Sequence, residues 1–263
     1  MMNNEGGAMA VVPEGAIPAS TLVIMRPAAD GGPDEILLVK RSSKMVFAAG
    51  AVVFPGGRID PDDYLVAQQH GYAAMDVDGA ARVAAVRETL EETGLAVAWD
   101  ALIGDAIADV RRALQGGTLL SEILASRSEI LALDHLVPFA RWCPNFKETR
   151  TFDTRFYAVV APRQDEELSF EESELSHLFW ATAAETLEKA DRDELSVIFP
   201  TRRNLERLAS APCFSEFARH AAAHPPQLIT PWIEERDGEQ HLCIPDGVGY
   251  PVTAEPISRA MRG

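Results

Sequence analysis

The chain is short of cysteine, of long apolar runs and of positive charge. Its 263 residues include three cysteines, Cys143, Cys213 and Cys243. They are odd in number, lie far apart and lack the spacing of a zinc site. That argues against a disulfide framework and fits a reducing compartment, so a cytoplasmic location is expected. No stretch is long and apolar enough to span a bilayer. Residues 1–18 contain no basic region followed by an apolar run, so no secretory signal is expected. Lysine and arginine total 24 against 40 aspartates and glutamates, a formal net charge of −16. Such a surface repels nucleic-acid backbones and acidic membranes, and neither is expected as a partner. The same charge poses a problem for any phosphate-bearing substrate, which would need a cation or a local basic patch to hold it. The sequence also lacks internal repeats and low-complexity segments.

Apolar residues make up 47% of the chain, enough for a real core. Residues 1–18 read as a loose tail. Short apolar runs at 20–25, 35–39 and 51–54 read as strands, the last stopped by Pro55-Gly56-Gly57. Residues 58–79 hold no clear period and read as a loop or partly helical insertion. From Ala80 to Thr93, Val83, Val86, Leu90 and the alanines form one apolar helical face, which Gly94 ends as a C-cap would. Two helical runs follow in 109–133, broken at Gly116-Gly117. Strands are expected at 136–142 and 152–160. Residues 174–189 lead into another helix, and 200–224 form one or two more. A late β-hairpin spans 229–244, turning at Asp237-Gly238. Strands and helices without regular alternation predict an α/β (α+β) fold, a mixed β-sheet with helices on both faces. The expected division is a tail at 1–18, a main domain at 19–210 with insertions at 58–79 and 100–133, and an extension of helix and hairpin at 211–263.

The segment Arg87-Glu88-Thr89-Leu90-Glu91-Glu92-Thr93-Gly94 carries the chemistry. On a helix, Glu88, Glu91 and Glu92 emerge on one face, one turn apart. Three carboxylates so close repel one another, and a divalent cation relieves the repulsion. Hard cations such as Mg²⁺ take carboxylate oxygens while keeping some water. Arg87 lies four residues before Glu91 and can brace it. A solvated acidic helix face is the plainer alternative, but it does not explain the Gly-Gly turn before the helix or the fixed Arg, Glu and Gly positions.

This pattern resembles the box of the Nudix hydrolases: Gly, five residues, Glu, seven residues, then Arg-Glu-apolar-x-Glu-Glu-x-Gly-apolar. Gly57 matches the opening glycine, and Arg87 to Leu95 match the second half. Gly57 and Arg87 are 30 positions apart, where the family box has 14. Counted back from Arg87, the first glutamate falls on Gly79, with Asp76 or Asp78 as substitutes, and Thr89 replaces an apolar residue. The resemblance implies an α/β/α sandwich and a metal-dependent enzyme that cleaves a pyrophosphate bond by water attack. It implies that the Gly57 carbonyl, Glu88 and Glu92 hold Mg²⁺ or Mn²⁺, and that Glu91 is a further ligand or the base. It also implies a glutamate shortly before a strand that holds a tryptophan. Glu174, six residues before Trp180, suits that role, with Glu171 and Glu172 as rivals.

Upstream, Leu37-Leu38-Val39-Lys40-Arg41-Ser42, then Gly50 and Phe54-Pro55-Gly56-Gly57, is similar to the signature of the coenzyme A pyrophosphatase branch. Val39 stands for a threonine and Val46 for an arginine. The long box and Phe152-Asp153-Thr154-Arg155-Phe156-Tyr157 resemble the vertebrate peroxisomal proteins that hydrolyse coenzyme A and its acyl esters. Met261-Arg262-Gly263 is no peroxisomal address. The implied substrate is a nucleotide-derived small molecule, coenzyme A or an acyl-coenzyme A. ADP-ribose, NADH or a dinucleoside polyphosphate is the alternative, and a non-catalytic nucleotide sensor a third reading. Arg41 and Arg155 are candidate phosphate ligands, with Lys147 and Arg150 beside them. Trp142, Phe146 and Phe152 are candidates to stack on a base. Against this, Phe152 and Phe156 alternate as strand core would, and Arg155 has Asp153 as a rival partner. The late hairpin reads as a cap over the site or as a dimer contact, and a homodimer is left open.

Overall fold

The computed structural model describes residues 11–42, 49–144, 150–162 and 175–260. Val46, Phe146, Lys147, Glu171, Glu172 and Glu174 lie outside them. In chain order the first elements are β1 (Ile17–Arg26), β2 (Glu35–Arg41), β3 (Val52–Val53), β4 (Gly56–Arg58), α1 (Pro61–Gln69) and α2 (Val77–Thr93). Next come α3 (Asp105–Gln115), α4 (Leu120–Arg127), β5 (Val137–Trp142), β6 (Phe152–Val160) and β7 (Leu175–Thr182). The rest are α5 (Ala183–Asp191), α6 (Phe199–Ala209), α7 (Phe214–Ala223), β8 (Leu228–Ile229), β9 (Trp232–Arg236), β10 (Glu239–Cys243), β11 (Ala254–Pro256) and the short α8 (Ile257–Ala260).

A mixed sheet runs in the order β3-β2-β1-β6-β5-β8, with β4 added to β1 and β7 to β2. β1 and β6 are parallel from Ile17↔Phe152 to Met25↔Val160. On its other edge β1 meets β2 only at Met25↔Ile36 and Arg26↔Glu35. The two strands then part, and β4 takes the vacated edge from Ala19↔Arg58 to Thr21↔Gly56. This split seats the Gly56-Gly57 turn inside the sheet.

Both faces of β1 are buried, because its residues alternate between two cores. Leu22 and Ile24 join Leu37, Tyr157 and Val159 under α1 to α4, packed on Val83, Val86 and Leu90 of α2. Val23 and Met25 join Leu38, Phe139 and Phe156 under α5 to α7, packed on Leu205 and Phe217. The result is the expected α/β/α sandwich. No helix among the described residues is long and apolar enough to cross a membrane.

Several boundaries differ from the sequence reading. β1 begins at Ile17, inside the presumed tail. Residues 58–79 contain the end of β4 and all of α1, and α2 starts at Val77 because the Asp76 side chain accepts from the N–H groups of Asp78 and Gly79. The late hairpin gains a third strand, giving the small antiparallel sheet β11-β10-β9. Trp142, a candidate to stack on a base, is instead buried in the second core against Tyr250 and Phe199, so it is packing rather than a binding surface.

Candidate active site

α2 crosses the sheet and ends over the Gly56-Gly57 turn. Gly94 takes the left-handed conformation (φ 77°) and donates its N–H to the Leu90 carbonyl, closing the helix as a C-cap. The last carbonyls are held from α3. Arg111 donates from Nε to the Glu91 carbonyl (2.9 Å) and from Nη2 to that of Glu92 (3.2 Å). A cation here also favours the negative end of the helix dipole. This end of α2 is therefore fixed before any ligand arrives.

The carboxylates are seated individually. Gly57 has no room for a side chain: a Cβ there would lie 2.2 Å from Glu88 Cδ. A Cβ on Gly56 would lie 2.3 Å from the Ser20 carbonyl oxygen. Gly56 N–H donates to Glu92 Oε2 at 3.0 Å. Arg87 Nη1 donates to Glu88 Oε1 (3.0 Å) and Glu91 Oε1 (3.3 Å). So Gly57, Arg87, Glu88, Glu91 and Glu92 do converge. Burial pushes the Glu88 carboxyl up to about 7, and the Glu91 charge adds to this while Arg87 opposes it. Glu91 is also raised, chiefly by burial, with Arg87 pulling the other way.

The sequence reading missed Asp63. Counted forward from Gly57, five residues precede it, so it stands where the box has its first glutamate. The added residues therefore lie between Asp63 and Arg87, not around the first carboxylate. Arg87 Nε and Nη2 grip the two Asp63 carboxylate oxygens at 3.0 and 2.9 Å, and Nη2 also reaches the Arg58 carbonyl at 3.0 Å. Asp63 is fully buried, and its Oδ2 also accepts the Asp60 N–H at 2.8 Å in the capping box that starts α1. Burial raises the Asp63 pKa while Arg87 lowers it. Arg87 stays charged, because Asp63, Glu88 and Glu91 outweigh its own burial. Asp76 caps α2, and Asp78 pairs with Arg82 (2.9 Å) and accepts from Tyr157 (2.7 Å), so neither substitutes for the first glutamate.

The candidate phosphate ligands are not brought together. Arg41 ends β2 beyond an irregularity at Lys40/Arg41, and its Nε is buried without a partner among the described residues. Arg155 lies on β6 opposite Ser20 and contacts Asp153 at 3.4 Å, so that rival pairing is real. Phe156 is buried in the second core, as strand core would be.

Hard oxygen donors on one rigid helix face, seated against a backbone turn, suit a divalent cation of the Mg²⁺ or Mn²⁺ type. Arg87 stands between two of these carboxylates, and among the described residues no three His, Cys, Asp or Glu side chains close into a ready-made metal cluster.

Fold and site together define a hydrolase of the pyrophosphate-cleaving kind. A Nudix hydrolase from Alicyclobacillus acidocaldarius superposes with a TM-score of 0.66 and 30% identity, over 78% of this chain and 96% of that one. The chain belongs to the Nudix hydrolase family, and it is a pyrophosphohydrolase. The NUDIX domain of Shewanella oneidensis NrtR complexed with ADP ribose matches at TM-score 0.41 and 13% identity, over 73% of this chain and 84% of that one. The MutT protein of Methanosarcina mazei Go1 matches at 0.41 and 16%, over 75% and 96%. No protein-family model matches the sequence, and no curated protein does.

Proposed function

We propose that the protein hydrolyses the pyrophosphate bond of coenzyme A or an acyl-coenzyme A with Mg²⁺ or Mn²⁺, releasing adenosine 3′,5′-bisphosphate and a phosphopantetheine product. The observation that carries the hydrolytic part is the seating of Glu88 against Gly57, with Glu91 and Glu92 one helical turn along. The Gly57 carbonyl, Glu88, Glu91 and Glu92 would hold the cation, with Glu174 from the segment before β7. A bound divalent cation neutralises phosphate oxygens and lowers the pKa of bound water. Arg87, fixed by Asp63, orients Glu88 and Glu91. Glu91, on the same helix face, is either one of the cation's ligands or the base that takes the proton of the attacking water. Arg41 and Arg155 would neutralise substrate phosphates outside the carboxylate cluster. The coenzyme A assignment is supported by the segment from Leu37 to Gly57. The cytoplasm is the proposed site of action, on the ground that the sequence has only three widely spaced cysteines.

The test is a mass-spectrometric product assay with Mg²⁺ or Mn²⁺, offering coenzyme A, acetyl-coenzyme A, ADP-ribose, NADH and a dinucleoside polyphosphate. Adenosine 3′,5′-bisphosphate from the first two is the expected result. AMP from ADP-ribose or NADH alone would keep the mechanism and discard the substrate. Glu92→Gln is expected to lower kcat by about a hundredfold or more while leaving folding intact, since one like charge is removed from the cluster. Full activity of that variant would overturn the site.

A further inference from the structure

One row of residues crosses the sheet in register: Gly57 of β4, Ser20 of β1, Arg155 of β6 and Arg141 of β5. Ser20 shares its face with Leu22 and Ile24, and Arg155 shares its face with Tyr157 and Val159. All four of those apolar residues belong to the core under α2. The row therefore runs on the catalytic face, away from Glu88. Neighbouring strands lie about 4.8 Å apart, which puts Arg155 about 10 Å and Arg141 about 14 Å from Gly57 along the sheet.

The two arginines are held rather than loose. Arg141 grips Asp153 through Nε (2.8 Å) and Nη2 (2.7 Å), and Arg155 Nη1 reaches the same carboxylate at 3.4 Å. The Asp153 side chain is 8% exposed, Arg155 15% and Arg141 30%, so the cluster opens outward from a buried base. Two guanidiniums against one carboxylate leave a net positive charge on a chain whose formal charge is −16. Arg141 uses Nε and Nη2 on Asp153 and Arg155 uses Nη1, and neither guanidinium is fully buried, so the remaining donors are open to solvent or a ligand. Between them and Gly57, the Ser20 Oγ is buried with no hydrogen-bond partner. Two partly exposed guanidiniums held by one carboxylate can exchange their water for an anionic acceptor.

We propose that Arg141 and Arg155, braced by Asp153, form a second phosphate site that selects substrates carrying an additional phosphate one nucleoside away from the bond that is cleaved. The proposal rests on reading the Gly57–Glu88 cluster as the point of cleavage. A 3′-phosphorylated adenosine has the required chemistry, with one phosphate at the carboxylate cluster and the other on the arginines. Asp153 is a positioning residue, and the arginines are the ligands.

The test is calorimetric binding of adenosine 3′,5′-bisphosphate and of AMP to the full chain with Mg²⁺. The wild type is expected to bind the bisphosphate at least about tenfold more tightly. In Arg141→Gln and Arg155→Gln, each of which leaves Asp153 one arginine partner, that ratio is expected to fall to about twofold or less. Arg141→Lys, which keeps the charge and loses the fork, should fall between. Equal wild-type affinities overturn the proposal. So does a ratio that survives in both glutamine variants, including one where both affinities weaken together as a merely structural loss would produce. Discrimination by a wild type that leaves coenzyme A uncleaved would keep this site and discard the substrate assignment, so the two readings fail separately.

Discussion

Gly57 and Glu88 occupy what is nearly one volume. The space a Cβ would need is filled by the Glu88 carboxylate, so the glycine is required by the acid beside it rather than by a turn angle. Gly57→Ala is therefore expected to displace Glu88 and lower kcat by about a hundredfold, with a smaller loss of stability. Steady-state kinetics beside thermal unfolding separates the two effects, and unchanged kcat would remove Glu88 from the site. Asp63 makes a second point of the same kind. Its side chain is fully buried and that of Arg87 is 9% exposed, so Asp63→Asn removes the charge that compensates a buried guanidinium. A loss of about 3 kcal/mol is expected, because breaking a buried pair strands the remaining charge. Freed from Asp63, Arg87 would lean on Glu88 and Glu91 and lower kcat as well. Denaturant unfolding gives the first figure, and a loss below about 0.5 kcal/mol would show that Glu88, Glu91 and Asp60 suffice to hold Arg87.

Elements with a strong local signal were legible. β6 runs from Phe152 to Val160 as its aromatic and β-branched residues indicate, and α2 stops where Gly94 says it must. β4 was not legible. Gly-Gly-Arg has no strand propensity, and only pairing with Ala19 to Thr21, far away in sequence, makes it a strand. Asp63 stayed hidden for a related reason. Counting back from Arg87 crosses the added residues, and no local feature says that the buried face of α1 carries an acid for a distant arginine. The Arg141–Arg155 row likewise depends on which strands become neighbours. Long-range ties also fix the loop after α4. Glu129 accepts the indole N–H of buried Trp99 at 2.7 Å and pairs with Arg127 at 2.9 Å. The Arg127 hydrogen bond, with help from Trp99, holds its carboxyl below the usual range. A depressed carboxyl contributes stability that is present above its unfolded pKa and lost as pH falls through the folded value. Glu129→Gln is thus expected to cost about 1 kcal/mol at pH 7, with the gap to wild type closing below about pH 4. Melting temperatures of both proteins across pH 3–7 check this, and a gap that stays constant would assign the effect to packing.

At the scale of the whole molecule, the question is whether residues 211–263 are an appendage or part of the domain. The contacts favour the second. Leu242, Ile244, Val248 and Tyr250 are buried in the same core as Phe139, Phe156 and Leu205. Arg207 of α6 is 1% exposed, donates to the Phe139 carbonyl (2.7 Å) and the His224 carbonyl (3.3 Å), and lies against the rings of Phe139 and Tyr250. Tyr250 closes the connection, accepting the Trp142 indole N–H at 2.9 Å and donating to Asn204 Oδ1 at 2.7 Å. One hydroxyl thus joins β5, α6 and the C-terminal segment inside a region closed to water. Tyr250→Phe keeps the ring packing and removes only that hydroxyl. It leaves a buried indole donor without its acceptor and a buried amide oxygen without its donor, for which a loss of about 2 kcal/mol is expected. In a chain of this size that lowers the melting temperature by roughly 4–8 °C. If the extension is integral, near-UV and far-UV circular dichroism should report one shared, shifted transition. A separate early transition in the variant, with the remainder melting as in the wild type, would show instead that the C-terminal segment folds on its own account.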